Sequence, residues 1–401
     1  MAEASPEAAW LSIIGIGEDG GLGAAARNAL ENATLVFGGA RHLALAAGMI
    51  RGAAQPWPQP FSVAAVLAAR GSRVAVLASG DPMWHGVGVT LLRAVPPQEA
   101  RVFPSPSAFS LAAARMGWAL ADCVTLSLHA RPAALLRPHL HPGARLLVLT
   151  TDAAQPAAVA ALLAAQGFAA SRITVLEALG GPAERLRHDP DAADLHPLNT
   201  LAIAVVAGPG ARLIPRAPGL PDADFAHDGQ LTKREVRAIT LSALRPQPGA
   251  LLWDVGAGAG SIGIEWMLAH PTCRAIAIEG RADRAARIAL NAEAMGVPGL
   301  RIITGDAPDA LAGLEMPDAI FLGGGANDPG VFDSVLAALK PGGIFVANAV
   351  TLETEALLLA RHAALGGEML RVAINRAVPV AGMTGWRAAM PVTQWVWRKP
   401  C

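Results

Sequence analysis

The chain has 401 residues, of which 53% are hydrophobic and 16% are charged, so it can form large cores and is not a disordered chain. Its 32 basic residues balance its 32 acidic residues, which argues against a nucleic-acid partner because a polyanion attracts a basic excess. We find neither a membrane-spanning apolar run nor a signal-peptide pattern, and we expect a cytoplasmic protein without a membrane partner. The three cysteines lie far apart, and His139-Leu-His141 lacks a third ligand, so we expect no metal site.

The first half of the chain alternates short apolar runs with Ala-rich helical patterns. This alternation predicts an α/β fold. The predicted strands are Leu11–Ile16, Val74–Ala78, Leu146–Thr150, Ile173–Leu176 and Leu201–Val206. The predicted helices include Val63–Ala69, Ala108–Met116 and Ala157–Ala165.

The pattern stops between about Gly208 and Gly229, where four prolines and several glycines exclude a regular element. We interpret this stretch as an interdomain linker. The predicted domains are therefore residues 1–212 and 230–401, joined by a linker over residues 213–229.

A second α/β run follows the linker. A helix beginning near Thr232 precedes the strand Leu251–Val255, a glycine-rich turn and a helix through Met267. The remaining predicted elements are strand Arg274–Ile278, helix Ala282–Met295, strands Leu300–Thr304 and Ala319–Leu322, helix Pro329–Leu339 and strand Gly343–Ala347.

The glycine-rich turn of the second half reads Asp254-Val-Gly-Ala-Gly-Ala-Gly260. Glycines between a strand and a helix let a ligand approach backbone N–H groups closely. Glu279 ends the next predicted strand, where a carboxylate can accept hydrogen bonds from ribose hydroxyls. A nicotinamide site has the spacing G-x-G-x-x-G, which this loop does not match. The loop instead resembles the first motif of class I methyltransferases, which implies S-adenosylmethionine as cofactor.

The surrounding segments narrow this resemblance. The segments are Leu231-Thr-Lys-Arg-Glu-Val-Arg237, Trp253–Trp266, Ile278-Glu279, Gly305-Asp-Ala-Pro308 and Pro317-Asp-Ala-Ile-Phe-Leu-Gly-Gly324. They are similar to the decarboxylating precorrin methyltransferase domains, which act at carbon 15 of the corrin ring, and the similarity runs from about residue 228 to 350.

Motifs of the first half resemble the tetrapyrrole methylase family, and Phe37-Gly-Gly-Ala-Arg-His-Leu43 resembles the members that methylate carbon 5. Glu18 stands where many members have proline, and Ser105-Pro-Ser-Ala108 replaces the commoner Gly-x-Ser-Ser. The other matching segments are Ile14-Gly-Ile-Gly17, Ala78-Ser-Gly-Asp-Pro82, Phe103–Ala108, Leu126-Ser-Leu-His-Ala-Arg131, Leu149-Thr150 and Leu176-Glu-Ala-Leu-Gly180.

Together the two resemblances imply a two-lobed tetrapyrrole methylase domain followed by a Rossmann-like class I methyltransferase domain. They imply methylation of a precorrin at carbons 5 and 15 with loss of an acetate carboxyl group, in cobalamin biosynthesis. They also imply a homo-oligomer.

The cofactor residues follow from motif position. In the second domain we expect Thr232, Asp254, Gly256, Ala257, Gly258, Ala259, Gly260, Glu279, Asp306 and Ala307. In the first domain we expect Gly80, Asp81, Met83, Ser107 and Ala108. Thr232 could instead cap the N-terminus of a helix, and Asp81 could instead stabilise a turn.

Substrate and catalytic residues are candidates by residue type. A carboxylate-rich substrate favours arginines, namely Arg131, Arg234, Arg237 and Arg387. Glu265 is a candidate proton acceptor, with a salt bridge as its alternative, and His129 and His227 are the candidate histidines.

Two alternative functions differ in how well the sequence supports them. The same chemistry on a cobalt-containing precorrin fits the motifs equally well. An RNA or protein methyltransferase does not fit the balanced charge, and Phe321-Leu-Gly-Gly-Gly-Ala-Asn327 lacks the Pro-Pro motif of enzymes that methylate base amines.

Overall fold

The computed structural model describes residues 9–401 and divides them into two compact units. The first unit comprises residues 9–133 and His139–Arg212, and the second comprises Ala134–Pro138 and Leu213–Cys401. Both are α/β, as the alternating pattern predicts. No helix within residues 9–401 combines the length and the apolar character needed to cross a bilayer.

The first unit begins with a parallel five-stranded sheet in the order β3-β2-β4-β1-β5. Its strands alternate their side chains between two apolar clusters: Ile14 and Ile16 face one, and Leu11 and Ile13 face the other. The strands are β1 (Leu11–Ile16), β2 (Leu35–Gly38), β3 (Ala53–Pro56), β4 (Val74–Ser79) and β5 (Ala100–Phe103). The helices are α1 (Ala24–Glu31), α2 (Ala40–Leu45), α3 (Ala64–Ala68) and α4 (Val87–Leu91).

A second, mixed five-stranded sheet completes this unit, in the order β6-β7-β10-β8-β9, so the unit has two sheets, in agreement with the predicted two-lobed domain. Phe109 and Ala112 of the helix that enters this layer pack on the sheet. The elements are α5 (Ala108–Met116), β6 (Cys123–Ser127), β7 (Arg145–Leu149), α6 (Gln155–Ala165), β8 (Arg172–Glu177), β9 (Arg185–Arg187) and β10 (Asn199–Ala204).

The second unit has a seven-stranded sheet in the order β13-β12-β11-β14-β15-β19-β16, in which the last two strands are antiparallel to their neighbours. A separate hairpin, β17–β18, extends from it. The helices are α7 (Arg234–Leu244), α8 (Ser261–Ala269), α9 (Ala282–Ala294), α10 (Val331–Ala338) and α11 (Leu352–Leu365). The strands are β11 (Leu251–Val255), β12 (Arg274–Glu279), β13 (Arg301–Thr304), β14 (Ala319–Leu322), β15 (Ile344–Ala349), β16 (Glu368–Val372), β17 (Asn375–Val380), β18 (Met383–Ala388) and β19 (Val392–Arg398).

The stretch predicted as a linker is packed on the second unit. Ile214, Leu220 and Phe225 are buried in the core that α8 and α9 share, and Asn291 accepts from the Ala226 N–H and donates to its carbonyl. Residues 213–229, which we interpret from the sequence as an interdomain linker, thus pack as part of the second unit. Proline and glycine limit regular structure here to one 3-10 turn, Asp222–Asp224, but they do not exclude burial.

Candidate active site

The second unit contains a cavity of about 810 Å³ at the carboxyl ends of its parallel strands. Ligands bind at this end of open α/β sheets, because strand ends and helix N-termini present polar backbone groups there. The volume lies within the range of about 300–1,000 Å³ that small-molecule sites occupy. The loops after β11, β12, β13, β14 and β15 all contribute to its wall.

The glycine-rich loop forms one side of the cavity. Gly256 and Gly258 line it and have φ angles of +69° and +59°, a region that L side chains rarely adopt. A Cβ atom built on Gly256 would lie 2.7 Å from the backbone nitrogen of Gly324. Both the conformation and the close approach of two loops therefore require glycine at position 256.

Glu279, at the end of β12, forms another part of the cavity wall. Its carboxylate is 6% exposed and lines the cavity, where Oε2 accepts from the Gly258 N–H at 2.8 Å and Oε1 accepts from the Arg281 N–H at 3.1 Å. Asp306, Ala307 and Thr232 also line the cavity. Seven of the predicted cofactor residues of this unit therefore line one cavity: Thr232, Gly256, Ala257, Gly258, Glu279, Asp306 and Ala307.

Asp254, Ala259 and Gly260 lie behind the cavity wall. Asp254 is buried, its Oδ2 accepts from the Gly263 N–H at 2.9 Å, and its Oδ1 has no hydrogen-bond partner within residues 9–401. Burial raises the pKa of Asp254 from 3.8 to about 7, and the nearby charge of Glu279 adds to the increase. These three residues do not line the cavity, and their roles in cofactor binding stay predictions.

This raised pKa predicts a pH-dependent stability. Between about pH 4 and pH 7 the unfolded chain loses the Asp254 proton and the folded chain keeps it, so stability falls as pH rises through that window. We expect Asp254→Asn, which keeps the acceptor for Gly263, to remove a slope of roughly 1.4 kcal/mol per pH unit. Unfolding midpoints of wild type and variant from pH 4 to pH 7 measure the difference. An exposed control, Asp283→Asn, should keep the wild-type slope; equal slopes for wild type and Asp254→Asn would contradict the prediction.

The remaining lining of the cavity combines cations with an apolar wall. Lys233, Arg281, Arg284 and Arg376 line it. Arg281 pairs with Asp283 at 3.0 Å, Arg284 pairs with Asp228 at 2.8 Å, and Arg376 pairs with Glu235. The apolar wall consists of Val350, Val372, Ile374, Ala389, Met390 and Val392. An anionic ligand with an apolar body would meet both kinds of surface here.

Three loops of the first unit meet at the carboxyl end of its parallel sheet. The Gly80 N–H donates to the Ile16 carbonyl at 3.0 Å, and the Ser105 N–H donates to the Gly80 carbonyl at 3.1 Å. Gly80 has a φ angle of +53°, and a Cβ atom built on it would lie 3.1 Å from Cα of Ser107. The predicted residues Gly80, Asp81, Ser107 and Ala108 therefore belong to adjacent loops.

Local roles for Asp81 and Ser107 are visible in the same loops. Asp81 Oδ1 accepts from the Met83 N–H at 2.8 Å, so Asp81 has the turn role that we weighed as its alternative. Ser107 Oγ accepts from the Ser110 N–H at 3.1 Å and caps α5. Met83 is 41% exposed and lies beside Trp84, whose ring contacts Phe109. Their cofactor roles stay predictions.

Each half of the chain matches a known family profile. The profile of Tetrapyrrole (Corrin/Porphyrin) Methylases matches residues 12–192, and that of the Precorrin methyltransferase domain matches residues 223–399. A precorrin-6Y C(5,15)-methyltransferase (decarboxylating) from Sinorhizobium sp is 57% identical over 398 residues, which cover 97% of this chain and 96% of that protein. The chain belongs to the precorrin-6Y C(5,15)-methyltransferase (decarboxylating) family.

A second relative is similar over nearly the whole chain, and a solved domain is similar to about half of it. The protein of that name from Mycobacterium tuberculosis (strain ATCC 25618 / H37Rv) is 42% identical over 395 residues, covering 96% of this chain and 98% of that protein. The crystal structure of the C-terminal domain of precorrin-6Y C5,15-methyltransferase from Rhodobacter capsulatus is 48% identical, with a TM-score of 0.44, and covers 46% of this chain and 100% of that one. The family resemblances predicted from the motifs of both halves are confirmed.

Glu265 and Arg237, candidates for proton transfer and substrate binding, form instead a buried ion pair in this family member. Arg237 Nε donates to Glu265 Oε1 at 2.5 Å, and that carboxylate also accepts from the N–H groups of Gly219 at 2.6 Å and Leu220 at 3.0 Å. Arg237 is fully buried and its Nη1 donates to the Thr232 carbonyl at 2.5 Å. Both predictions are wrong, because the buried pair holds residues 219–220 on α7 and α8, and Arg237 Nη1 also pairs with Asp222 at 3.2 Å.

The other candidates lie outside the cavity. His227 is exposed and its Nδ1 accepts from the Gly229 N–H at 3.0 Å, while Arg234 and Arg387 are exposed and do not line the cavity. His129 and Arg131 are exposed on the first unit. Thr232 does not cap α7, whose N-cap position is Lys233. Within residues 9–401, no group of three His, Cys, Asp or Glu side chains is placed to hold a metal ion.

The sequence analysis did not identify the four basic residues that line the cavity, Lys233, Arg281, Arg284 and Arg376. Lys233 is adjacent to the predicted Thr232, and Arg281 follows Glu279 by two positions, so proximity to the motif was a usable signal for both. Arg376 gave no such signal, because it lies on β17, far along the chain from the glycine-rich loop.

Proposed function

We propose that this chain methylates precorrin-6Y at carbons 5 and 15 and removes the carboxyl group of the ring C acetate, giving precorrin-8X in cobalamin biosynthesis. The observation that carries this proposal is the match to a bifunctional relative over 97% of this chain and 96% of that protein, in which both units are included.

S-adenosylmethionine is the proposed cofactor, and the cavity of the second unit fits it. Gly256 and Gly258 line the cavity without side chains, so their backbone is open to the methionine end. Glu279 at the cavity wall suits the ribose hydroxyls, and Asp306 with Ala307 suits the adenine. When bound, this cofactor supplies a methyl group on a positively charged sulfur.

The residues of the second unit then act by positioning. Reduced tetrapyrroles contain enamine-like carbons that are already nucleophilic, so the protein mainly has to align carbon 15 with the methyl group. Lys233, Arg281, Arg284 and Arg376 can hold the peripheral carboxylates of such a ring.

Decarboxylation follows from the same arrangement. Methylation of carbon 15 leaves an iminium-type ring that accepts electrons. The bond between the acetate methylene and its carboxyl group breaks, its electron pair enters the ring, and carbon dioxide leaves. An apolar wall such as Val372, Ile374 and Met390 favours this step, because the carboxylate loses its water there while its charge disperses.

We assign the carbon 15 reactions to the second unit and carbon 5 methylation to the first. A relative from Pyrobaculum aerophilum named probable cobalt-precorrin-6B C(15)-methyltransferase (decarboxylating) supports this division. It is 35% identical over 174 residues and covers 42% of this chain, a length sufficient for one unit and not for two. Metal-free precorrin is the proposed substrate, since the relatives that match both units carry the name precorrin-6Y.

The test is mass spectrometry of precorrin-6Y after incubation with the full chain and S-adenosylmethionine. We expect a product that has gained two methyl groups and lost one carbon dioxide. A product with a single methyl group at completion would contradict the bifunctional assignment, and parallel incubation with the cobalt-containing ring compares the two substrates.

Arg376 gives a sharper test of the cavity. We expect Arg376→Met to raise the KM for precorrin in carbon 15 methylation by about tenfold or more, because one charge-assisted hydrogen bond to a carboxylate is lost. Arg387→Met is the matched control: Arg387 lies directly opposite Arg376 on the hairpin and does not line the cavity. Steady-state kinetics at saturating cofactor measure both variants, and equal KM values would exclude Arg376 from the substrate site.

A further inference from the structure

Four polar side chains of the first unit form a hydrogen-bonded group that we call the Ser79 cluster: Glu18 after β1, Arg41 and His42 at the start of α2, and Ser79 at the end of β4. His42 Nε2 lies 2.7 Å from Ser79 Oγ, and Arg41 Nη2 donates to the same oxygen at 2.8 Å. Arg41 also pairs with Glu18. Three separate loops thus contribute to one site, which local turn formation does not explain.

The geometry fixes the protonation of His42. Arg41 Nη2 lies 3.0 Å from His42 Nε2, and a guanidinium can only donate, so Nε2 carries the lone pair. The Ser79 hydroxyl, which is nearer, then shares this lone pair with Arg41 as the second donor to Nε2. The imidazole proton lies on Nδ1, which is buried without a hydrogen-bond partner in the described part of the chain. Burial, together with the charge of Arg41, lowers the pKa of His42 to about 4, so the ring is neutral at pH 7.

The cluster lies where a ligand of this unit would have to be. Ser79 is exposed and directly precedes Gly80 and Asp81 of the proposed cofactor loop. A Cβ atom built on Gly181, which follows β8 of the other sheet, would lie 2.5 Å from Cγ of Glu18. The exposed hydroxyl therefore stands at the junction of the two sheets, with a neutral imidazole behind it.

Methylation of carbon 5 requires a proton acceptor, because no carboxyl group leaves in this reaction. Carbon 5 carries one hydrogen: as the new carbon–methyl bond forms, the sulfur–methyl bond breaks, and the ring becomes an iminium-type cation. The carbon–hydrogen bond must then break so that its electron pair restores the conjugated double bond. One proton leaves per methyl group transferred to carbon 5.

We propose that Ser79 and His42 form a proton relay for methylation of carbon 5, an inference that rests on the proposed function of the first unit. The Ser79 oxygen takes the proton from carbon 5 while the Ser79 proton moves to His42 Nε2. Arg41, held by Glu18, is a positioning residue that keeps Nε2 unprotonated beforehand. The cation left on the ring makes carbon 5 acidic enough for a weak base.

The experiment uses the full chain with precorrin-6Y and compares His42→Gln, Ser79→Ala and Ser79→Thr. We expect the first two to lower the rate of carbon 5 methylation by about 100-fold or more while both cofactor sites still bind S-adenosylmethionine. Ser79→Thr keeps the hydroxyl and should retain most of the rate. His188→Gln is the matched control, because His188 Nδ1 also lies near a hydroxyl, 3.2 Å from Thr174 Oγ1, but outside the cluster.

An isotope measurement separates a relay from a structural role. With deuterium at carbon 5 of the substrate, His42→Gln should show a larger primary isotope effect than wild type, because proton removal becomes rate-limiting. Carbon 5 methylation within threefold of wild type in either His42→Gln or Ser79→Ala would overturn the relay, as would a Ser79→Thr variant no better than Ser79→Ala. Wild-type protein that never methylates carbon 5 would instead overturn the proposed function of this unit. If His42→Gln does not fold, the comparison of Ser79→Ala with Ser79→Thr tests the relay, because Ser79 is exposed.

Discussion

Replacing Gly256 with valine should abolish carbon 15 methylation and carbon dioxide release. The new side chain would meet the backbone of Gly324 within 3 Å, and valine rarely adopts a φ angle of +69°. Two loops that form the cavity would have to separate. A displacement of about 1 Å in such a site can cost 100-fold in rate, and here the methionine end of the cofactor site would itself be altered.

Binding stoichiometry gives the direct measurement. On the proposed function, calorimetric titration with S-adenosylmethionine should give two equivalents for wild type and one for Gly256→Val. The control is Gly313→Ala, since Gly313 also has a positive φ angle, +71°, but a Cβ atom there meets no atom within 4 Å. That variant should bind two equivalents. Two equivalents with full carbon 15 activity in Gly256→Val would remove the glycine-rich loop from the cofactor site.

The second large effect concerns stability. Arg237→Met should destabilise the second unit by about 3–5 kcal/mol, because it leaves the carboxylate of Glu265 buried without its cation. The loss is measured as a shift of the unfolding transition of this unit, at constant pH and cofactor concentration. If Arg237 bound substrate instead, the variant would keep its stability and lose affinity for precorrin.

An exposed ion pair of the same unit provides the comparison. Arg274 pairs with Glu315 at 2.7 Å, and both side chains are about half exposed. Solvent screens such a pair, so Arg274→Met should change the transition little. An equal effect of the two substitutions would contradict the distinction between buried and exposed pairs.

The sequence was informative where structure is local. The segment from Asp254 to Gly260 begins in a strand with five buried residues and ends at the start of a helix, and it contains the acid and the glycines of the motif within seven positions. The same holds for Leu11–Ile16 and Ala108–Met116, which have the predicted bounds because apolar runs and a Ser107 cap mark them. Strands β3 and β9, at sheet edges, escaped prediction because Ala53–Pro56 and Arg185–Arg187 are largely exposed.

The errors share a different cause. Nothing near Glu265 or Arg237 in the sequence shows that residues 219–220 will cover them, since that segment lies about 45 positions from Glu265 and 17 from Arg237. Arg376 enters the cavity from a hairpin, and Arg387 opposite it does not, although both have the same residue type on adjacent strands. The roles of these residues depend on partners that only the tertiary structure brings close to them.

The packed segment before α7 has a consequence for where this chain can be divided. A gene for the second unit alone would have to begin before the codon for Ile214, because Leu220 and Phe225 fill its core and the N–H groups of Gly219 and Leu220 bind the carboxylate of Glu265. A product beginning at residue 230 would lack these partners and expose apolar surface. The boundary at which evolution could join or split the two activities is therefore set by the burial of this segment, not by the end of regular secondary structure.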